Sequence, residues 1–227
     1  MTRVMSPAPI RFVFDFISPY AYLAWTQVHD LAARYGREVE PVAVLFAAML
    51  DAWGHKGPAE IPPKRLYVFK DVLRTARRLG VPLSPPPTHP FNPLLALRLA
   101  SLPELQDADR VRLIDVLYRA TWAERRDVTS PEVLSGLLHD AGVDPSLLEK
   151  AASAESKQRV RDQTNGAIAA GVFGVPTTLV DGEMFWGTDS LVDLERFLEG
   201  RDPVPVDLAE RWESLPAAAR RPGSLKA

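Results

Sequence analysis

The side chains that could carry chemistry in this sequence do not include cysteine, which is absent from all 227 positions. Disulfides, thiolate metal ligands and catalysis by a protein thiol are therefore excluded. The four histidines, His29, His55, His89 and His139, do not have the spacing of metal ligands, and no glycine-rich phosphate-binding loop precedes a helix. Chemistry that requires sulfur must take it from another molecule.

Ser18 is the hydroxyl residue with the most informative position. Together with Pro19, it separates an apolar run, Ile10–Phe16, from a segment with apolar residues at helical spacing, Tyr20–Tyr35. Serine is favoured at the N-cap of a helix and proline at the first helical position, so the pair predicts a helix that begins here. On spacing alone, capping is the ordinary role of such a serine. Nothing in the sequence indicates a Ser-His-Asp triad around it.

A helix predicted over Lys64–Leu79 carries a polar face. Lys64, Tyr67, Asp71 and Arg74 recur at spacings of three and four residues, opposite an apolar stripe. Such a face is usually solvated, and Asp71 and Arg74 could form a plain ion pair. The apolar stripe consists of Leu66, Phe69, Leu73 and Ala76.

The predicted elements that must position these residues begin with a β-α-β unit. Its strands, Ile10–Phe16 and Val39–Leu45, flank the first helix and are expected to be parallel. Proline-punctuated helical patterns then follow one another to about residue 171, with no convincing strand among them. This segment predicts an all-helical insertion.

Strand patterns return near the end of the sequence. Thr177–Val180 and Met184–Trp186 flank Asp181-Gly182, a dipeptide typical of a two-residue type I′ hairpin turn. A final amphipathic helix is expected to be capped by Thr188 or Asp189.

The composition narrows the class of partner. Lys and Arg number 27 against 29 Asp and Glu, a net charge of -2 that disfavours nucleic acid and anionic membranes as partners. No apolar run approaches the roughly 20 residues needed to span a bilayer, and no signal-peptide pattern is present. We therefore expect a cytoplasmic protein.

The order of elements resembles the thioredoxin fold with the helical insertion of the DsbA family. Within that family, four blocks of sequence are similar to 2-hydroxychromene-2-carboxylate isomerases and the related kappa-class glutathione transferases. These blocks are Phe14 to Ala24 (FDFISPYAYLA), Gly57 to Arg65 (GPAEIPPKR), Phe173 to Thr177 (FGVPT) and Trp186 to Asp189 (WGTD).

The resemblance implies an α/β, thioredoxin-like fold with a large all-helical insertion. The thioredoxin-like domain would comprise residues 9–46 and 172–200, the insertion residues 47–171, and a C-terminal tail residues 201–227. The tail is expected to pack loosely or to contribute to a contact between subunits. A homodimer is therefore one possible assembly.

The resemblance also implies a glutathione-dependent cis-trans isomerase that acts on a small-molecule substrate, with glutathione as the cofactor and no metal. In redox members of the fold, a cysteine occupies the start of the first helix, where free amides and the helix dipole stabilise a thiolate. Here Ser18 stands at that place and would donate a hydrogen bond to the thiolate of bound glutathione. Glutathione would add to a conjugated double bond of the substrate, allow rotation, and leave unchanged.

Two further blocks are expected to bind glutathione. The Val175-Pro176 bond is predicted to be cis, so that the backbone of Val175 can pair with the peptide backbone of glutathione. Trp186, Gly187, Thr188 and Asp189 would bind the γ-glutamyl end, with the helix N-terminus attracting its carboxylate and Asp189 binding its ammonium group. Many relatives carry Arg after this Asp, where the present sequence has Ser190.

The substrate site is implied by the resemblance to include His55, Lys64, Tyr67, Phe91 and Asn92. Lys64 would supply a cation for the substrate carboxylate or for glutathione. His55 stands where relatives commonly show Asn, and could donate a hydrogen bond to a bound carbonyl or indicate another substrate.

Two other functions stay open at this point. A kappa-like transferase would consume glutathione by conjugating it to an electrophile, whereas the isomerase, acting in the catabolism of naphthalene-like aromatic compounds, would return it. A non-catalytic thioredoxin-like module would bind glutathione without turnover.

Overall fold

The computed structural model describes residues 7–216. The strands are β1 (Ile10–Phe14), β2 (Val39–Ala43), β3 (Thr177–Val180) and β4 (Glu183–Trp186). The helices are α1 (Pro19–Arg34), α2 (Phe46–Trp53), α3 (Pro62–Leu79), α4 (Leu94–Ala100), α5 (Asp107–Trp122), α6 (Pro131–Asp140), α7 (Leu147–Ala151), α8 (Ala154–Ala169), α9 (Leu191–Leu198) and α10 (Val206–Glu213). No helix among these residues is long and apolar enough to cross a membrane.

The four strands form one mixed sheet in the order β2-β1-β3-β4. β1 pairs in parallel with β2 and antiparallel with β3, and β4 is antiparallel to β3. Asp181 and Gly182 between β3 and β4 both have positive φ, 50° and 91°, as a type I′ turn requires. The predicted thioredoxin-like fold with a helical insertion is confirmed.

Both faces of the central strand are buried, because helices cover each side of the sheet. Phe12 and Phe14 point into a large core that they share with α1 and with the helices that follow β2. Val13, on the opposite face, packs in a smaller core with Met49 of α2 and Ala167 of α8. The alternation of side chains along a strand thus ties β1 to helices on both sides.

The large core joins the sheet to the helical segment. Phe14 lies against Trp25 of α1 and Tyr118 of α5, with ring centroids 6.1 and 5.9 Å away, and Tyr118 also contacts Phe16 at 4.9 Å. All described strands lie in residues 10–43 and 177–186, and helices α2 to α8 lie between them. The division into domains at 9–46, 47–171 and 172–200 stays a prediction.

Two features of the structure differ from the sequence-based expectations. Helix α2 was not predicted, and its N-terminus has no side-chain cap from its own cap residue, Leu45. The apolar stripe of α3 was wrong in part: Leu66 and Leu73 are 58% and 42% exposed, whereas Val72 and Ala76 are buried. The buried face of α3 is therefore rotated from the predicted one, toward Val72 and Ala76, with Val68 and Phe69 partly buried against the same core.

The predicted tail contains helix α10. Its described side chains are exposed, including Leu208 and Trp212, so the helix has no described partner on the chain. The part of the tail from 217 to 227 lies outside the described residues. A role of the tail in a contact between subunits stays a prediction.

Candidate functional site

Ser18 caps helix α1 as its sequence predicts. Its Oγ accepts the N–H of Ala21 at 3.2 Å, and Pro19 occupies the first helical position. The residue is 8% exposed. Its hydroxyl donates to the carbonyl of Val175 at 3.4 Å, which is well beyond the 2.7–2.8 Å of a typical O–H···O bond. The hydroxyl proton is therefore weakly held by the protein.

Free backbone donors stand beside this hydroxyl. The N–H of Tyr20, at the second position of α1, has no acceptor among residues 7–216, and neither does the N–H of Val175. Amides in the first turn of a helix lack intrahelical partners and lie at the positive end of the helix dipole. Ser18, Tyr20 and Val175 thus form a set of hydrogen-bond donors suited to an anion.

The Val175-Pro176 bond is cis, as predicted. The loop that contains it is bound on both sides: the hydroxyl of Thr177 donates to Gly174 O at 2.8 Å, and the N–H of Gly187 donates to Pro176 O at 2.9 Å. These bonds join the loop before β3 to the segment after β4.

The predicted Trp186–Asp189 block lies at the same place. Thr188 Oγ1 donates to the carbonyl of Tyr20 at 2.7 Å, which fixes this segment against the start of α1. The prediction that Thr188 or Asp189 caps α9 was wrong, because Ser190 occupies the N-cap position and makes no side-chain cap bond to the helix. The hydroxyl of Thr188 is used instead to join two loops.

The carboxylate of Asp189 forms no salt bridge with any residue in the described range. Gly187, two residues earlier, has φ +96°, and a Cβ built there would lie 2.5 Å from Asp189 Oδ1. Only glycine therefore allows the carboxylate to fold back over this turn. Asp189 is left as an anion that can bind a cationic group.

Tyr20 connects this region to helix α3. Its hydroxyl donates to Asp71 Oδ2 at 2.8 Å. Burial, followed by the hydrogen bond and charge of Asp71, raises the pKa of Tyr20 above its ordinary value, so the hydroxyl stays protonated. Asp71 therefore belongs to the wall of the site, whereas an ion pair between Asp71 and Arg74 is not formed.

An exposed aromatic pair borders the loop of Val175. Phe173 and Trp186 are 38% and 54% exposed, and their ring centroids lie 5.1 Å apart in an edge-to-face arrangement. A Cβ at Gly174 would lie 2.6 Å from Nε1 of Trp186, so the absence of a side chain at this glycine lets the indole lie across the loop.

The predicted substrate residues lie on several elements and are not joined to one another by hydrogen bonds as the residues around Ser18 are. Lys64 and Tyr67 lie on the exposed N-terminal half of α3, and Lys64 forms no salt bridge with a described residue. His55 is exposed in the turn after α2. Phe91 is partly buried against the core, and Asn92 Oδ1 accepts the N–H of Leu94 at 3.1 Å, which gives Asn92 a role at the start of α4.

An open cavity of about 310 Å³ runs along the same half of α3. The sequence did not identify the cavity, although Arg65 and Leu66 lie next to the predicted Lys64. Its lining is mostly apolar with one guanidinium, and consists of Ala59, Pro62, Arg65, Leu66 and Phe69.

Asp15 is a buried carboxyl that the sequence analysis did not assign. Its Oδ1 accepts the N–H of Ile17 at 3.0 Å, and its Oδ2 accepts the N–H of Phe46 at 2.9 Å. Burial raises the pKa of Asp15 to about 7, against the lowering effect of these two bonds. The signal that could have identified it is an acidic residue within an otherwise apolar run, three residues before the serine.

Comparison with known proteins agrees with this geometry. Residues 9–199 match the DSBA-like thioredoxin domain family. The chain is 32% identical over 192 residues to a 2-hydroxychromene-2-carboxylate isomerase of Sphingobium xenophagum, covering 83% of this chain and 97% of that protein. It is 25% identical over 226 residues to glutathione S-transferase kappa 1 of Rattus norvegicus, covering 91% and 100%.

A solved structure of a 2-hydroxychromene-2-carboxylate isomerase superposes with a TM-score of 0.76 at 27% identity, covering 92% of this chain and 99% of that one. The fold and the extent of these matches agree. The chain belongs to the DSBA-like thioredoxin domain family, in the branch that contains the 2-hydroxychromene-2-carboxylate isomerases.

Proposed function

We propose that this chain is a glutathione-dependent cis-trans isomerase that acts on 2-hydroxychromene-2-carboxylate or a similar product of aromatic-compound breakdown in the cytoplasm. Its similarity to isomerases identifies it as an enzyme of that class, and it is also related to glutathione transferases. Glutathione supplies the nucleophilic thiol, which the chain lacks. The observation that carries the proposal is the Ser18 hydroxyl, whose only described acceptor, Val175 O, lies as far as 3.4 Å away.

The residues around Ser18 fit a bound tripeptide thiol. The hydroxyl of Ser18 and the free N–H of Tyr20 would donate to the thiolate, and the helix dipole of α1 would favour its charge. The free N–H of Val175 would bind the peptide backbone of glutathione. Asp189, without a cationic partner among the described residues, would bind the ammonium of the γ-glutamyl group, beside Trp186, Gly187 and Thr188.

The substrate would lie toward helix α3. The cavity with Leu66 and Phe69 offers apolar surface for a planar ring, and Lys64 next to it offers a cation for a carboxylate. Tyr67 and Phe91 would complete the wall. Roles for His55 and Asn92 stay predictions, and the bond that Asn92 Oδ1 accepts from Leu94 leaves its amide nitrogen and one lone pair of the oxygen for a substrate.

The similarity to the kappa-class enzyme supports a second function, the transfer of glutathione to an electrophile. The two reactions use the same thiolate and differ in the fate of glutathione. We expect free glutathione to be recovered in full after many turnovers. Stoichiometric consumption would favour the transferase, and binding without any turnover would favour the non-catalytic module.

The test of the proposal is Ser18→Ala. We expect its glutathione-dependent turnover to fall at least about tenfold, because a charge-assisted hydrogen bond contributes roughly 1.5 to 3 kcal/mol. Ser130→Ala is a matched control, since Ser130 also caps a helix with proline at its first position but lies at α6. Full activity in Ser18→Ala would refute the role of the serine.

A further inference from the structure

Three consecutive carbonyls directly before Ser18 each accept a hydrogen bond from a side chain of the helical segment. Trp122 Nε1 donates to Phe16 O at 2.8 Å, and His89 Nε2 lies 3.1 Å from Ile17 O. Tyr118 Oη donates to Asp15 O over 3.4 Å, which makes this bond the longest and weakest of the three. Since a carbonyl can only accept, His89 must carry its proton on Nε2.

These donors are held by packing. Tyr118 and Trp122 lie one turn apart on α5 and are fully buried. The His89 ring contacts Phe69 and Trp122, with ring centroids 5.3 and 5.6 Å away. Aromatic rings enclosed in this way have few accessible rotamers, so their N–H and O–H groups are fixed in space.

Two N–H groups at this loop are also bound. Asp15 holds the N–H of Ile17 through its carboxylate, and Asp15 O accepts the N–H of Ser18 at 3.1 Å as well as the Tyr118 hydroxyl. The loop that delivers Ser18 to the helix therefore has little freedom to move.

The surroundings of His89 lower the pKa of its imidazole on balance, although the bond to Ile17 O acts in the opposite direction. Its Nδ1 is buried without a partner among the described residues, and burial lowers the pKa of His89 below its ordinary value. The guanidinium of Arg65, which donates to the backbone carbonyl of His89 at 2.9 Å, acts in the same direction. Tyr118 and Asp15 are the other titratable groups at this loop, and the remaining contacts of the ring are Phe69, Phe91 and Trp122.

We propose that His89, Tyr118 and Trp122 are positioning residues through which the helical segment holds the 15–17 loop, so that the Ser18 hydroxyl is fixed for a bound thiolate. The proposal rests on the proposed function of Ser18. His89 is the most informative of the three, because its ring is only partly buried whereas Tyr118 and Trp122 fill the core.

The first measurement concerns the free protein. His89→Met removes the donor at similar volume, His89→Gln retains an N–H at similar reach, and His29→Met is a control because His29 packs on Trp25, away from this loop, at 4.4 Å. We expect amide exchange at Ile17 and Ser18 to rise at least about tenfold in His89→Met. In His89→Gln and His29→Met it should stay within about threefold of wild type. Unchanged exchange in folded His89→Met would overturn the proposal.

The second measurement titrates the thiolate absorbance of bound glutathione against pH. We expect His89→Met to raise the pKa of the bound thiol and to lower the affinity for glutathione more than that for S-methylglutathione, with recovery in His89→Gln. Equal effects on both ligands would overturn the proposal as well. If wild type itself binds glutathione with an ordinary thiol pKa, the proposed role of Ser18 fails, whatever the exchange result.

If His89→Met does not fold, Trp122→Phe replaces it in both measurements, since phenylalanine keeps a ring in the core but lacks the N–H that Phe16 O accepts. Faster exchange and a higher thiol pKa support the proposal, and wild-type values in both overturn it.

Discussion

At the scale of the residue, the site is defined by donors without acceptors and one anion without a cation. Ser18 donates over 3.4 Å, the N–H groups of Tyr20 and Val175 have no described acceptor, and Asp189 has no described salt bridge. Buried polar groups are normally paired in a folded protein, so the long bond of Ser18 and the free N–H of Val175, both buried residues, indicate a ligand.

Asp189 provides a prediction at this scale. We expect Asp189→Asn to weaken glutathione binding about tenfold or more, because the charge-assisted bond to the ligand ammonium is replaced by a neutral one. Calorimetric titration measures the change. Asp193→Asn is the control, since Asp193 already pairs with Arg196 on the surface at 3.0 Å. Equal affinity in wild type and Asp189→Asn would rule out this anchor.

Part of the site follows from the sequence, because its residues act through local chemistry. A Ser-Pro pair directly before apolar residues at helical spacing predicts the capped start of a helix, and the bond from the N–H of Ala21 to Ser18 Oγ confirms that prediction. The pairing of Thr188 with Tyr20 O, and of Tyr20 with Asp71, joins residues far apart in sequence. Such contacts depend on how elements pack, which no local pattern encodes.

At the scale of the element, Asp15 joins the end of β1 to the start of α2. Its two oxygens accept one N–H on each side, and the bond to Phe46 satisfies an amide at the N-terminus of α2. This explains why α2 was missed: its cap comes from a residue 31 positions away. The rotation of the buried face of α3 also comes from tertiary packing, which decides which stripe of the helix is buried.

A prediction for this element is pH-dependent stability. The pKa of Asp15 is raised from 3.8 to about 7 on folding, so the folded state favours the protonated carboxyl. This contribution to stability is complete below pH 4 and is lost as pH rises to 7, on the order of 4 kcal/mol across that window. We expect Asp15→Asn to abolish this fall, measured as the free energy of unfolding in urea at each pH.

The control is the stability of Asp109→Asn, in which an exposed carboxylate paired with Arg112 is removed. We expect it to keep the wild-type dependence on pH. The result that would contradict the assignment is the same change in the free energy of unfolding between pH 4 and 7 in wild type and in Asp15→Asn.

At the scale of the whole molecule, the sheet and the helical segment share one core. Phe14 and Trp25 come from the thioredoxin-like part, Tyr118 and Trp122 from the helical segment, and all four belong to a single buried cluster. Sequence periodicity predicted both parts, but it did not show that their interface also supplies the bonds to the loop before Ser18.

This shared core predicts cooperative unfolding. We expect the urea transitions followed by far-ultraviolet circular dichroism and by tryptophan fluorescence to coincide, because Trp25 and Trp122 lie in the core that both parts build. Two separated transitions, with the helical signal lost at a different urea concentration, would show that the parts are stable independently.

The central claim is that Ser18 lowers the pKa of the glutathione thiol, and one titration tests it. Thiolate absorbance of glutathione bound to wild type and to Ser18→Ala is followed against pH, with free glutathione as reference. We predict that the bound thiol ionises at lower pH than the free thiol, and that Ser18→Ala raises its pKa by about 1 to 2, the equivalent of one charge-assisted hydrogen bond. The same pKa in both proteins would contradict the account.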